Sequence, residues 1–173
     1  MDEVGRLISE FKAAKLDANG ECDEKIDLIL ELEELEDPRI MPFFLEVIGN
    51  ENEYDLARIE VLKILKLRDR RSPEEHERIG KAILEVLAKS KDADVRNYAA
   101  MALAKYLDVE GANTEAGNLL LNSKTQIDLR HNLFFAFERF GETDDGREVM
   151  LKLLQDEEFR QSAARVLGDW GKK

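Results

Sequence analysis

Cysteine is almost absent from this chain: Cys22 is the one thiol in 173 residues. That scarcity excludes an internal disulfide framework and any cysteine-built zinc site. Histidine is nearly as rare. His76 and His131 stand far apart, outside any His-Glu-x-x-His spacing, and read as helix-end or solvent-facing side chains. No uncharged apolar run approaches the ~18 residues that a membrane span requires. The opening Met-Asp-Glu-Val-Gly-Arg lacks the basic and apolar regions of a signal peptide, so the expectation is a cytoplasmic protein that does not enter a membrane. Positive charge is also in short supply, with 26 Lys+Arg against 38 Asp+Glu, a net charge of −12 and a pI of about 4.8. Neutralising phosphates needs a surplus of Lys and Arg, which argues against a nucleic-acid partner.

Chemistry-bearing motifs are missing as well. Cys22 lies between Glu21 and Asp23 in a predicted loop, a setting that does not activate a nucleophile. No glycine-rich phosphate loop occurs, and Gly141, Gly146, Gly168 and Gly171 read as helix terminators. Carboxylates are abundant, yet no two can be nominated as an acid/base couple. The expectation is a non-enzymatic protein with no cofactor and no metal.

Present in quantity are apolar residues, 43% of the chain, and charged residues, 37%. That mixture folds around a core, and the length fits a single domain over residues 1–173. Apolar positions recur at three- and four-residue spacing, as in Ile79, Ile83, Leu84 and Leu87, and no stretch alternates long enough to argue a strand. Helix-start signals punctuate the pattern. Asp37-Pro38 sets an N-cap before a first-turn proline, Ser72-Pro73-Glu74-Glu75 adds a capping box, and Thr125-Gln126-Ile127-Asp128 is a weaker version. The chain is all-α.

Three segments superimpose without a gap: Asp94-Val95-Arg96-x-x-Ala99-Ala100-x-x-Leu103, Asp128-Leu129-Arg130-x-x-Leu133-Phe134-x-x-Phe137 and Glu158-Phe159-Arg160-x-x-Ala163-Ala164-x-x-Leu167. A looser copy runs from Asp55-Leu56-Ala57-Arg58 into Val61, Leu62 and Leu65. Each follows a shorter amphipathic stretch, over 38–49, 73–91, 114–123 and 144–155, and the stretches 2–16 and 24–36 form a first, degenerate pair. One amphipathic hairpin cannot cover its own apolar stripe, whereas stacked neighbours share a core. In that arrangement the acidic residue complements the helix N-terminus. The alanine pairs 99/100 and 163/164 admit close neighbours. The arginine lays its stem on the core and pairs with a carboxylate of an adjoining repeat.

The pattern resembles the HEAT-repeat family, in particular its short bacterial HEAT-like (PBS-lyase HEAT-like) units. The likeness rests on Asp37-Pro38-Arg39-x-x-x-Pro42-Phe43-Phe44-Leu45, Asp92-x-Asp94-Val95-Arg96-x-x-Ala99 and Ala163-x-x-x-Leu167-Gly168, and spans about 37–171. It departs at Leu133-Phe134, where alanines are usual, and at Gly117 within a short first helix. The resemblance implies a right-handed α-solenoid of about five helical hairpins, residues 1–36 forming an acidic N-terminal capping hairpin. It also implies a concave surface lined by second helices and used to bind other proteins.

Helical spacing says which residues that surface exposes. With Val95, Ala99, Leu103 and Tyr106 inward, Asn97, Tyr98, Met101 and Lys105 point outward. The same register exposes His131, Asn132, Phe135 and Glu138, then Gln161, Ser162, Arg165 and Asp169. Phe135 aligns with Met101, and exposed apolar residues rimmed by polar ones compose binding hot spots; the competing reading buries this helix all round through Phe134, Phe135 and Phe137. Trp170 aligns with Tyr106 and Phe140 and is expected to seal the last hairpin. Residues 1–37 hold 13 acidic and 4 basic side chains, three quarters of the net charge, and read as a solubilising cap or as a docking surface for a basic partner. A basic cluster, Arg58, Lys63, Lys66, Arg68, Arg70 and Arg71, interrupted by Glu60 and Asp69, reads as a solvated corner. The leading expectation is a protein-binding module, and the resembled family includes immunity proteins that neutralise a toxin. An assembly adaptor, a HEAT-like glycosylase and a bilin-lyase-like enzyme are the rivals.

Overall fold

A computed structural model describes residues 2–68 and 72–171. Among the described residues there are ten α-helices and no strand. They run α1 Glu3–Ala13, α2 Asp23–Glu33, α3 Ile40–Gly49, α4 Asp55–Leu67, α5 Pro73–Lys89, α6 Ala93–Leu103, α7 Ala112–Leu121, α8 Ile127–Phe140, α9 Asp144–Leu153 and α10 Arg160–Trp170, with a short 3₁₀ turn over Ala104–Tyr106 after α6. No helix is long and apolar enough to cross a membrane among the described residues.

Local chemistry sets the boundaries. Asp2, Ser72, Asp92 and Thr143 each accept a hydrogen bond from the backbone N–H three residues on, satisfying one donor that the first helical turn leaves open. Asp37 instead accepts from the Arg39 N–H at 2.9 Å, closing a turn, so α3 begins at Ile40 and not at Pro38. Thr125 makes no cap, and Gln126 precedes α8 without a side-chain bond. Helix α7 starts two residues before the predicted 114, because Gly111 turns the chain at φ +82°, a conformation that favours glycine. Gly141 and Gly171 do follow helix ends, but Gly146 and Gly168 lie inside α9 and α10, so only two of the four expected terminators hold.

The helices pack in sequential pairs, α1 with α2 through α9 with α10. First helices touch the next first helix (α3 with α5, α5 with α7, α7 with α9), and second helices do likewise (α2 with α4, α4 with α6, α6 with α8). One apolar core threads these contacts, including Phe11, Ile29, Leu32, Phe44, Ile48, Leu62, Leu65, Ile83, Leu103 and Phe137, each almost wholly buried. Glycines admit the closest approaches: a Cβ at Gly80 would meet Val109 Cγ2 at 2.6 Å, and one at Gly117 would meet Val149 Cγ2 at 2.9 Å. Ala99, Ala100 and Ala163 are buried as expected, but Ala164 is exposed.

The arginines of the four aligned segments share one partner type, and it is backbone. Arg58 donates from Nε and Nη2 to the Ile48 carbonyl (3.2 and 3.1 Å), Arg96 Nε to Leu87 (3.1 Å), Arg130 Nε to Leu120 (2.8 Å) and Arg160 Nε to Leu154 (3.1 Å). Each acceptor lies at the C-terminal end of the preceding helix, where the last carbonyls have no partner inside the helix. The expected carboxylate is added in two copies. Arg130 reaches Asp156 in the next pair, with its guanidinium 4.8 Å from the Phe159 ring centroid. Arg58 holds Glu51, whose other oxygen accepts from the Lys91 N–H of the next pair at 3.1 Å. Both carboxyls titrate below their usual range, held down by these bonds against the opposing effect of burial.

The first pair joins the second through Phe11 on Phe43 (centroids 5.1 Å, edge-to-face), Lys12 to Glu46 (2.8 Å) and the largely buried pair Lys25 to Glu53 (2.6 Å). Arg39 bridges Asp37 (2.7 Å) and Asp2 (3.0 Å) at the surface. Its guanidinium and N–H lower the Asp37 pKa to about 2.

Two predictions follow from these contacts. Arg58 is 1% exposed and Arg130 5%, so Arg58→Ala and Arg130→Ala each strand a carbonyl and a carboxylate and cost about 3 kcal/mol in denaturant unfolding. Arg160 is exposed, and Arg160→Ala costs under ~1 kcal/mol. Equal losses at all three sites would contradict this ordering. In acid, Asp37 is ionised more readily folded than unfolded, so its pairing contributes above the ordinary carboxylate range and is lost as pH falls toward about 2. An NMR titration of Asp37 should show a midpoint near that pH, returning toward ordinary carboxylate values in Arg39→Ala.

Candidate functional site

The residues expected to line the exposed ridge fall on α6, the 3₁₀ turn, α8 and α10, and side-chain bonds from Lys105, Asn132 and Arg165 link α4, α6, α8 and α10. Lys105 Nζ donates to the Leu67 and Arg68 carbonyls at 3.1 and 3.3 Å, closing the C-terminal end of α4. Asn132 Nδ2 on α8 donates to Asn97 Oδ1 on α6 at 3.3 Å. Arg165 on α10 reaches Glu138 on α8 at 2.5 Å and lies 3.9 Å from Asp169. Lys105, His131, Phe135, Gln161 and Arg165 are exposed, while Asn97, Tyr98, Met101, Asn132, Glu138 and Ser162 are half-buried. Tyr98 departs furthest from expectation, because its ring packs on the edge of the core.

Phe135 settles which side of α8 faces out. It is 63% exposed, whereas Phe134 stacks on Phe159 at 5.2 Å and Phe137 is fully buried, so the helix is not apolar-covered all round. Leu67, at the end of α4, is 73% exposed, and Phe140 is 43% exposed. Phe140 therefore does not follow its aligned partners. Tyr106 is turned inward by the 3₁₀ turn and donates from its hydroxyl to the Leu65 carbonyl at 3.0 Å. Trp170 is covered by Arg147, whose guanidinium lies 5.7 Å from its ring and donates to its carbonyl. Phe140 also has a guanidinium beside its ring, that of Arg139 at 5.3 Å, but stays partly exposed.

These side chains converge. Leu67, Met101, Phe135, Ala136 and Phe140 floor a groove of about 490 Å³ between α4, α6 and α8, and Lys66, Lys105, Asn132 and Arg139 supply its polar lining. Among the described residues no carboxylate lines it. Lys66 and Arg139 make no ion pair among the described residues, and the Lys105 ammonium is engaged only by backbone carbonyls. The sequence reading missed Leu67, Arg139 and Phe140. Leu67 closes the run Val61-Leu62-Lys63-Ile64-Leu65-Lys66-Leu67, where helical spacing alone does not reveal that the last turn overhangs its neighbours.

The basic cluster around α4 does not act as one patch. Arg58 is buried, Lys63 pairs with Glu60 at 2.6 Å, Arg68 with Glu75 at 3.1 Å, and Lys66 joins the groove; Asp69, Arg70 and Arg71 lie outside the described residues. The histidines are held, not free. His76 Nε2 lies 2.7 Å from Asp108 with its ring 4.7 Å from Tyr106, and His131 Nε2 lies 3.0 Å from Glu158 beside Phe159. Cys22 is buried at the start of α2. Among the described residues no three His, Cys, Asp or Glu side chains cluster as a metal site would require.

Comparison of the chain with protein-family models, with curated proteins and with solved structures returned no match.

Because the Phe135 ring contributes little to the core, Phe135→Ala should change unfolding free energy by no more than about 0.5 kcal/mol. A loss above ~2 kcal/mol in denaturant unfolding would instead place that ring in the packed interior.

Proposed function

We propose that this chain is a non-enzymatic protein-binding module that takes its partner in the groove between α4, α6 and α8. The observation that carries the reading is the clustering of Phe135, Leu67 and Phe140 as exposed apolar side chains on one surface. Single exposed apolar residues are ordinary, whereas three around a common depression with a polar rim have the composition of a binding hot spot. The groove is also well supported: its walls are helices tied to one another by Lys105 and by Asn132 on Asn97. Rigid walls lower the ordering cost of association.

The architecture that we propose behind this site is a HEAT-like α-solenoid of five helical hairpins, right-handed, with the second helices on its concave side and the acidic pair α1–α2 as its cap. Neighbour-to-neighbour packing of first helices and of second helices supports it, as does the recurrence of one arginine-to-carbonyl bond in four consecutive pairs. An immunity-type inhibitor that occludes a toxin is a role of this kind. A glycosylase-like reading needs a carboxylate among the aromatic and basic residues, and among the described residues the groove lining offers none in its support.

Photo-crosslinking tests the reading. Benzoylphenylalanine placed at Phe135 should yield one discrete adduct in a lysate of the native cell, and the same probe at Leu151, exposed on α9, should not. Equal labelling at both positions, or none at Phe135, would overturn it.

A further inference from the structure

The net charge of −12 suggests a basic partner, but the charge at the groove has the opposite sign. Lys66, Lys105 and Arg139 surround its apolar floor, and none of them is matched to a carboxylate among the described residues. Many cations elsewhere are paired, as Lys12 is with Glu46, Lys63 with Glu60, Lys81 with Glu77 and Arg165 with Glu138, and those that are not among the described residues, such as Lys15, Lys91 and Lys124, do not line this groove. Even Asp108, in the depression next to the groove, is held by His76. In a chain with 38 carboxylates, three unmatched cations around one apolar depression leave a local positive site in a negative field.

Resting on the binding-module reading above, we infer that the groove takes an acidic peptide segment of another protein, one carrying a large apolar or aromatic anchor flanked by Asp or Glu. The anchor packs on Phe135, Leu67 and Phe140. The flanking carboxylates receive charge-assisted hydrogen bonds from Lys66 and Arg139, the latter able to bind a carboxylate with two parallel N–H donors. Lys105, fixed by the α4 carbonyls, contributes through its field. The surrounding acidic surface repels peptides that lack an anchor, which confines recognition to segments combining both features. A single-stranded nucleic acid could stack on the phenylalanines, but three cations neutralise few phosphates and the rest of a strand would run along acidic surface. A second copy of the chain would have to bring its own acidic face onto an equally acidic body.

Selection of displayed random peptides on the full-length chain, followed by fluorescence anisotropy of the enriched sequences, tests the inference. The expected winners carry an aromatic or large aliphatic residue between acidic ones. Their binding should weaken at least about tenfold in Phe135→Asp and in the double variant Lys66→Glu/Arg139→Glu. Exchanging the peptide's acids for lysines should restore binding to the double variant and abolish it for the native chain. Basic or uncharged winners that still depend on Phe135 would overturn the acidic occupant and leave the binding-module reading standing. Winners indifferent to Phe135, or no winners, would overturn both. Binding of an oligothymidine probe in place of peptide, lost in the double variant, or a concentration-dependent dimer abolished by Phe135→Asp, would overturn the inference in favour of those occupants.

Discussion

The bond from an arginine Nε to the carbonyl that ends the preceding helix is the contact on which the arrangement of helices depends. A helix leaves its last carbonyls without partners, and in a chain of closely packed helix pairs those carbonyls are drawn toward the interior, where solvent serves them poorly. Arg58, Arg96, Arg130 and Arg160 each satisfy one of them from the following helix. The guanidinium suits the task because its fixed fork can serve a carbonyl with one edge and a carboxylate with another. Arg58 uses it on Ile48 and Glu51, and Arg130 on Leu120 and Asp156. Through Glu51 and Asp156 the same side chain that closes one pair also holds the next, so a local cap becomes a contact between neighbours.

That constraint positions the groove. With the first turns of α6 and α8 anchored by Arg96 and Arg130, the later turns of these helices lie side by side, and Asn97 meets Asn132. The phase of α8 then follows from its own sequence: Leu129, Leu133, Phe134 and Phe137 are buried, and Phe135 has only the outer side left to it. The exposed end of α4, closed by Lys105, brings Leu67 to the same place. Apolar exposure here is the residue of a packing solution, and the cations around it set the kind of surface that could cover it.

Much of this was legible in the sequence for definite reasons. Helix spacing and the cap at Ser72 are local signals, and the cap marks an element start because the bond it makes spans three residues. The equivalence of the arginines was legible from their register, but the identity of their main acceptor was not, since a carbonyl leaves no mark in a sequence and a carboxylate does. The offset of Phe135 from Leu133 and Phe137 points outward, but Phe134, Phe135 and Phe137 together equally allow a helix buried all round, and the contacts of Phe134 and Phe137 decide between the two. Phe140 could not be assigned outward, because it aligns with Tyr106 and Trp170, which are buried, and the 3₁₀ turn that redirects Tyr106 is a local departure that the alignment does not show. The groove escaped detection because Leu67, Met101, Phe135 and Phe140 come from three second helices whose alignment in space is a tertiary fact.

Through-hydrogen-bond NMR coupling between arginine Nε and carbonyl carbon tests the central interaction most directly. Correlations from Arg58 to Ile48, Arg96 to Leu87, Arg130 to Leu120 and Arg160 to Leu154 are the predicted result, with the Arg58 and Arg130 Nε–H exchanging most slowly with water. Rapidly exchanging Nε–H groups at all four arginines, with no coupling to these carbonyls, would contradict it.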